Sequence, residues 1–212
     1  MLEAIKKVLV LAPHTDDGEF GCGATIAKFI EKGIEVFYIA FSSCEESVPE
    51  GFPKDVLRTE AVEATKKLGI PAENVKVLNY QVRYFSYKRQ EILEDLIQFR
   101  KSINPDLVLI PSLNDVHQDH ATIAHEAVRA FKNRNILCYE LTWNNFKFSM
   151  DYFVTVTEKH LDTKVKALSA YESQVAIRNY ASEEFVKSLA RVRGTQIGKQ
   201  FAEVFEVVRL IG

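Results

Sequence analysis

Cysteine is scarce in this chain: only Cys22, Cys44 and Cys138 occur, far apart and without a CxxC pair. An odd, scattered set excludes a disulfide framework and fits a reducing, cytoplasmic setting, with each thiol acting as a small buried hydrophobe. Charge of one sign is also lacking. The formal net charge is -2 and the basic residues are scattered, so neither nucleic acid nor an acidic membrane is expected as a partner. No apolar run approaches the roughly 20 residues that cross a bilayer. Lys6 and Lys7 ahead of Val8 to Ala12 resemble a signal peptide only weakly, and the run reads better as a first strand. Internal repeats, low-complexity tracts and linkers are missing too, so residues 1–212 are expected to form a single domain. The 47% apolar content gives it a sizeable core.

Apolar runs alternate with amphipathic stretches. Val8 to Ala12, Ile34 to Phe41, Val75 to Asn79, Leu107 to Ile110, Ile136 to Leu141, Tyr152 to Thr157 and Glu203 to Leu210 predict strands. Helices are expected over Gly23 to Lys32, Asp55 to Leu68, Lys88 to Ile103, His120 to Phe131, Leu161 to Ser173 and Ser182 to Val192, several of them stopped by Gly or Pro. This order implies an α/β, Rossmann-like three-layer fold with a mostly parallel sheet. In such sheets ligands bind beyond the carboxyl ends of the strands, where the strand order reverses.

Two polar runs stand at such ends: Pro13-His14-Thr15-Asp16-Asp17-Gly18-Glu19 after the first strand, and His117-Gln118-Asp119-His120 after the fourth. His14 and Asp17, three apart in a tight loop, can reach one point, while Asp16 projects elsewhere. His117 and His120 share that spacing at a helix entrance, and either can supply a third ligand. Two imidazoles and a carboxylate leave Zn2+ a position open for water, as a hydrolytic centre requires. A nearby carboxylate can accept the water's proton, and a histidine can stabilise the oxyanion or protonate the leaving amine. Each run also has a plainer reading, Thr15 to Gly18 as a turn and helix cap and Asp119 as a cap of the following helix. The lone His125 and His160 read as structural.

HTDDGEFGCGATIAKFIEKG, the downstream HQDH and the tail RVRGTQIGKQFAEVFEVVR resemble the PIG-L/LmbE-like zinc-dependent N-deacetylases essentially end to end. Their usual signature is His-Pro-Asp-Asp-x-Glu followed by His-x-x-His, and Thr15 stands here where proline is usual. The resemblance implies one deacetylase domain with His14, Asp17 and His120 as metal ligands and Asp16 as general base. It further implies that His117 stabilises the oxyanion or protonates the leaving amine, with Asp119 orienting His117. Zn2+ is the expected metal, with Fe2+ or another divalent ion as alternatives. The expected substrate is a small N-acetylated sugar, sugar nucleotide or glycoside, and a homo-oligomer is compatible with the family.

Substrate recognition falls to fewer signals. Trp143 could stack on a sugar, with Asn144 or Asn145 bonding its hydroxyls. Arg58, Arg83 and Arg178 could neutralise an anionic group, Arg58 being the best placed, near a helix start. The loop over residues 42–53 could form a lid, with Glu45 and Glu46 read as solvated. Phe146 to Phe153 reads as either interface or core. Three rivals remain: a two-histidine, one-carboxylate Fe(II) oxygenase; a nucleotide-binding Rossmann-like protein using Gly18, Gly21 and Gly23; and a carbohydrate-binding module without catalysis, against which Asp16 and His117 argue. The second has GxxGxG order and acidic residues where a pyrophosphate must sit.

Overall fold

The computed structural model describes residues 4–175 and 182–212. Lys7–Ala12 (β1) is a strand whose residues after Lys7 are all buried, as a central parallel strand covered on both faces demands. The alternation continues through Asp17–Glu31 (α1), Glu35–Ala40 (β2), Val56–Leu68 (α2), Val75–Val77 (β3), Arg89–Ile103 (α3), Leu107–Pro111 (β4), Gln118–Ala130 (α4) and Asn135–Tyr139 (β5). Tyr152–Thr155 (β6), Glu158–Leu168 (α5), Glu172–Val175 (α6), Glu183–Thr195 (α7) and Ala202–Arg209 (β7) complete it.

The seven strands lie in the order β3-β2-β1-β4-β5-β7-β6. Pairing is parallel from β3 to β5, and β7 runs antiparallel to both β5 and β6. Alternate residues feed two cores. Val8, Val10, Val36, Tyr38, Leu107 and Leu109 join the layer of α1, α2, α5 and α7, whereas Leu9, Leu11, Ile39, Val108 and Ile110 join that of α3 and α4. The expected three-layer α/β architecture is therefore present. Strand order reverses between β1 and β4, which pair through Val8–Leu107, Leu9–Val108 and Val10–Leu109. Both polar runs leave the sheet at this reversal.

The main departure from the expected elements lies in α1, which begins at Asp17, six positions before the expected Gly23. Gly18 and Gly21 are not turn residues here. A Cβ on Gly18 would meet the Tyr38 ring at 2.5 Å, and one on Gly21 the Tyr139 ring at 2.2 Å, so bare backbone lets the first turns press onto the sheet. Cys22 leaves helical geometry at φ -147°. The interruption exposes the Ala24 and Thr25 N–H groups, which donate to Glu203 on β7 at 3.2 and 2.6 Å. Lys164 bridges the same break, donating to the Phe20 carbonyl and to Glu203. With ring faces filling the glycine positions and acidic residues in the first turn, the dinucleotide reading has no phosphate cradle. The expected helix over Leu161 to Ser173 is instead two. Thr157 and His160 form a capping box that starts α5 at Glu158, and α6 follows separately. That box assigns His160 its structural role. No helix among the described residues is long and apolar enough to cross a membrane.

Candidate active site

The β1–α1 and β4–α4 loops form the floor of a cavity of about 270 Å³. Pro13 to Asp16 turn sharply because the His14 N–H donates to Asp17 Oδ2 at 2.8 Å. Asp16 takes the N-cap position of α1, yet its carboxylate makes no capping hydrogen bond and lines the cavity. The loop is propped from beneath. Tyr38 and Tyr171 both donate to the Thr15 carbonyl, at 2.9 and 2.6 Å, and both also contact the fully buried Glu19 carboxyl. Burial is the main force on that carboxyl and pushes its pKa up to about 8, although both tyrosines act the other way.

Three donor atoms converge above this floor. His14 Nδ1 lies 3.2 Å from Asp17 Oδ2, His120 Nε2 lies 3.2 Å from the same oxygen, and the two nitrogens are 3.1 Å apart. Each imidazole has its other nitrogen engaged: His14 Nε2 with Asp119 Oδ2 at 3.1 Å, and His120 Nδ1 with Asp115 Oδ2 at 2.8 Å. A carboxylate accepts only, so these outer contacts place the ring protons on the outside and leave the inner nitrogens as lone pairs. Two lone pairs and a carboxylate oxygen in mutual contact suit a shared cation, a metal ion or, without one, a proton. Donors about 2.0–2.1 Å from a tetrahedral Zn2+ lie about 3.3–3.4 Å from one another, so the residues present fit such an ion. The surrounding carboxylates favour positive charge at this point. Burial opposes charge on His120, but Asp17 and Asp115 outweigh it and raise its pKa to about 10. Burial likewise works against charging both His14 and Asp17, yet the carboxylates raise the one and the imidazoles lower the other.

His117 stands beside this triangle, its ring stacked on His120 at 4.7 Å and edge-on to His14 at 4.9 Å. Nitrogens of His14, His117 and His120 also lie within 4.8 Å of one another, a looser grouping than the one through Asp17. His117 is the N-cap of α4, and its Nδ1 accepts the Asp119 N–H at 3.2 Å. A neutral ring therefore carries its proton on Nε2. Burial, then the charges on His120 and His14, lower its pKa to about 4.

Two expectations require correction. The Asp119 carboxylate does not hold His117: it is bonded to His14 and accepts the Arg83 and Phe85 N–H groups at 2.6 and 3.3 Å. Only the Asp119 backbone touches His117, because the first turn of α4 aims the side chain towards the 83–85 turn. Arg58 is likewise displaced from substrate duty. Its guanidinium donates to the Val77 carbonyl at 2.7 Å and to Asn79, locking the end of β3, and Arg83 lines the cavity instead. Arg178 lies outside the described residues.

Trp143 and Asn144 line the cavity, with the Trp143 ring edge-on to Phe20 at 5.3 Å. Asn145 bonds the Leu141 N–H and Asp115, which fixes the loop. From the 42–53 segment, Cys44 and Ser47 form part of the wall. Sequence reasoning missed Asp115, Gln174 and Val82. Asp115 sits two residues before His117, just ahead of the polar run, a position that reads as an ordinary turn aspartate.

Strand order, a polar site at the β1/β4 reversal and paired imidazoles define a three-layer α/β protein with a cluster of groups that could hold a metal ion. The chain belongs to the GlcNAc-PI de-N-acetylase (PIG-L) family, whose model matches residues 9–132, more than half its length. It is 24% identical over 222 residues to the diacetylchitobiose deacetylase of Thermococcus kodakarensis, covering 94% of this chain and 82% of that protein. The solved N,N'-diacetylchitobiose deacetylase of Pyrococcus horikoshii, complexed with its inhibitor MPG, superposes with a TM-score of 0.81 at 24% identity, over 98% of this chain and 85% of that one. The 4-carboxy-2-hydroxymuconate hydratase of Pseudomonas putida shares the fold as well, with a TM-score of 0.78 at 20% identity over 98% of both chains. The fold alone therefore does not name the reaction.

Proposed function

We propose that this protein is a metal-dependent N-deacetylase that hydrolyses the acetamido group of an N-acetylated sugar, releasing acetate and a free amine. The observation that carries the reading is the triangle of His14 Nδ1, Asp17 Oδ2 and His120 Nε2, with Asp16 and His117 beside it in one cavity. These three residues would hold the metal, Zn2+ by its preference for such donors. When bound it supplies a Lewis acid that polarises the amide carbonyl and makes water a better nucleophile.

The chain's own groups divide the proton work. Asp16, whose carboxylate lines the cavity, accepts the proton of the attacking water. His117 meets the developing oxyanion with its Nε2–H. The Asp119 N–H on Nδ1 and the lowered pKa keep that ring neutral, so it acts as a hydrogen-bond donor rather than a store of protons. The proton taken up by Asp16 then passes to the departing nitrogen, and the carboxylate is restored. Asp119 and Asp115 fix the two imidazoles from behind, as outer carboxylates do around metal-binding histidines.

Family membership and deacetylase relatives support hydrolysis over the oxygenase and nucleotide-binding readings. The test is acetate release from N-acetylglucosamine and its β-1,4 oligomers by enzyme treated with a chelator and then reloaded with Zn2+, Fe2+ or Co2+. Restoration by a divalent metal without oxygen is expected. Turnover unaffected by chelation, or activity only as a hydratase or oxygenase, would overturn the proposal.

A further inference from the structure

A second concavity adjoins the catalytic cavity. It has a volume of about 490 Å³ and is walled by residues 78–81, Tyr84, Tyr87, Lys88, Glu91 and Asp95. The two share a dividing segment, since Val82 and Arg83 line the catalytic side while Gln81 and Tyr84 line the other. The divider is fixed to the site itself: Arg83, at φ +71°, and Phe85 both donate backbone N–H groups to Asp119. A left-handed non-glycine residue beside a catalytic cavity is strain retained for position.

The lining has a definite chemistry. Tyr84 and Tyr87 are 51% and 81% exposed, with their rings 6.0 Å apart and tilted by 38°. Exposed aromatic faces beside the Asn79 and Gln81 amides offer both an apolar platform and hydrogen bonds, which is what a pyranose with C–H faces and equatorial hydroxyls requires. Tyr80 is anchored by its O–H to Asp95 at 2.7 Å. Charge narrows the ligand further. Glu91 is paired with Lys88 at 2.8 Å, Asp95 is a second carboxylate in the groove, and Glu45 and Glu46 line a neighbouring concavity that shares Asn79, Tyr80 and Gln81. A diphosphate laid here would meet mostly like charge. Size points the same way. At about 270 Å³ the catalytic cavity falls just below the roughly 300–1,000 Å³ of small-molecule sites, enough for the reacting end of a substrate, and the groove is larger.

We propose that this groove is a distal subsite for the further sugar units of a neutral N-acetylated oligosaccharide, with Tyr84 and Tyr87 as its stacking platform. The assignment rests on the deacetylase reading and narrows its substrate class, away from sugar nucleotides.

Two measurements test it separately from catalysis. The first is calorimetric binding of triacetylchitotriose to the metal-loaded Asp16→Asn protein, with and without Tyr84→Ala and Tyr87→Ala. A loss of about tenfold in affinity on removing the two rings is expected. The second is kcat/KM for acetate release from N-acetylglucosamine, triacetylchitotriose and UDP-N-acetylglucosamine. The trisaccharide is expected to exceed the monosaccharide by about tenfold, the nucleotide to gain nothing, and the tyrosine variant to collapse the trisaccharide-to-monosaccharide ratio towards one. Trisaccharide binding that depends on the tyrosines, without acetate release from any sugar, would sink the deacetylase reading and keep the groove. Release that ignores chain length, a preference for the nucleotide, or affinity unchanged by the tyrosine variants would overturn the groove. So would a change in oligomeric state on removing Tyr84 and Tyr87, since the rings would then belong to an interface between copies.

Discussion

His14 Nε2 donates to Asp119 Oδ2 at 3.1 Å, and that same oxygen accepts the Arg83 N–H at 2.6 Å. One carboxylate therefore orients a proposed metal ligand and pins the turn that divides the cavity from the groove. Its own charge is favoured against burial by the His14 hydrogen bond and the Arg83 N–H. Asp119→Asn keeps an acceptor but loses the charge that sustains a strong His14 donor. Metal affinity is expected to fall by about 10–100-fold, read by competition with a chromogenic chelator. Affinity unchanged in the variant would remove Asp119 from the site's support.

Asp16 and Asp17 are neighbours with separate assignments. Asp16→Asn is expected to lower kcat by about 10²–10⁴-fold, the range for loss of a positioned general base, with one metal per chain retained by elemental analysis. Asp17→Asn should instead lose the metal. If Asp16→Asn emptied the site while Asp17→Asn left it filled, the two roles would have to be exchanged.

Much of this arrangement was legible because it depends on strand ends. The buried runs at Val8 and Leu107 are continuous apolar stretches that read as strands, and the strand order sets β1 beside β4, which brings the loops carrying His14 and His120 together at the reversal where such sheets bind ligands. What escaped depends on side-chain direction within loops. Asp119 points at His14 and not at His117 because α4 begins at Gln118 with His117 as its cap. Nothing in the spacing HQDH distinguishes these outcomes. The interruption of α1 at Cys22 was invisible for another reason: the group that caps its second half, Glu203, is 178 residues from Thr25 in sequence. Arg58 was misplaced because its partners, the Val77 carbonyl and Asn79, are fixed only once β3 joins β2.

The close contact of Gly21 with Tyr139 makes a stability prediction free of catalysis. Tyr139 is fully buried and donates to the Leu11 carbonyl at 3.0 Å, so its ring cannot retreat without breaking a hydrogen bond at the end of β1. Gly21→Ala, with its Cβ at 2.2 Å from the ring, is expected to cost at least about 1–3 kcal/mol as overpacking, measured by urea unfolding. An alanine variant as stable as the parent would mean the ring yields freely.

Glu19 ties the site to pH. Its carboxyl is fully buried against Tyr38 and Tyr171, and its pKa rises from the ordinary 4.5 to about 8. Below pH 4.5 both folded and unfolded chains hold the proton, and the contact contributes in full. Between pH 4.5 and 8 the unfolded chain releases the proton while the folded one keeps it, so this group makes stability fall as pH rises, by up to about 1.4 kcal/mol per unit. Glu19→Gln keeps an acceptor and a donor for the two tyrosines and never ionises. In metal-free protein, unfolding free energies from pH 5 to 8 should decline less steeply for the glutamine variant than for the parent. Parallel curves for the two would show that Glu19 is already ionised in the folded chain.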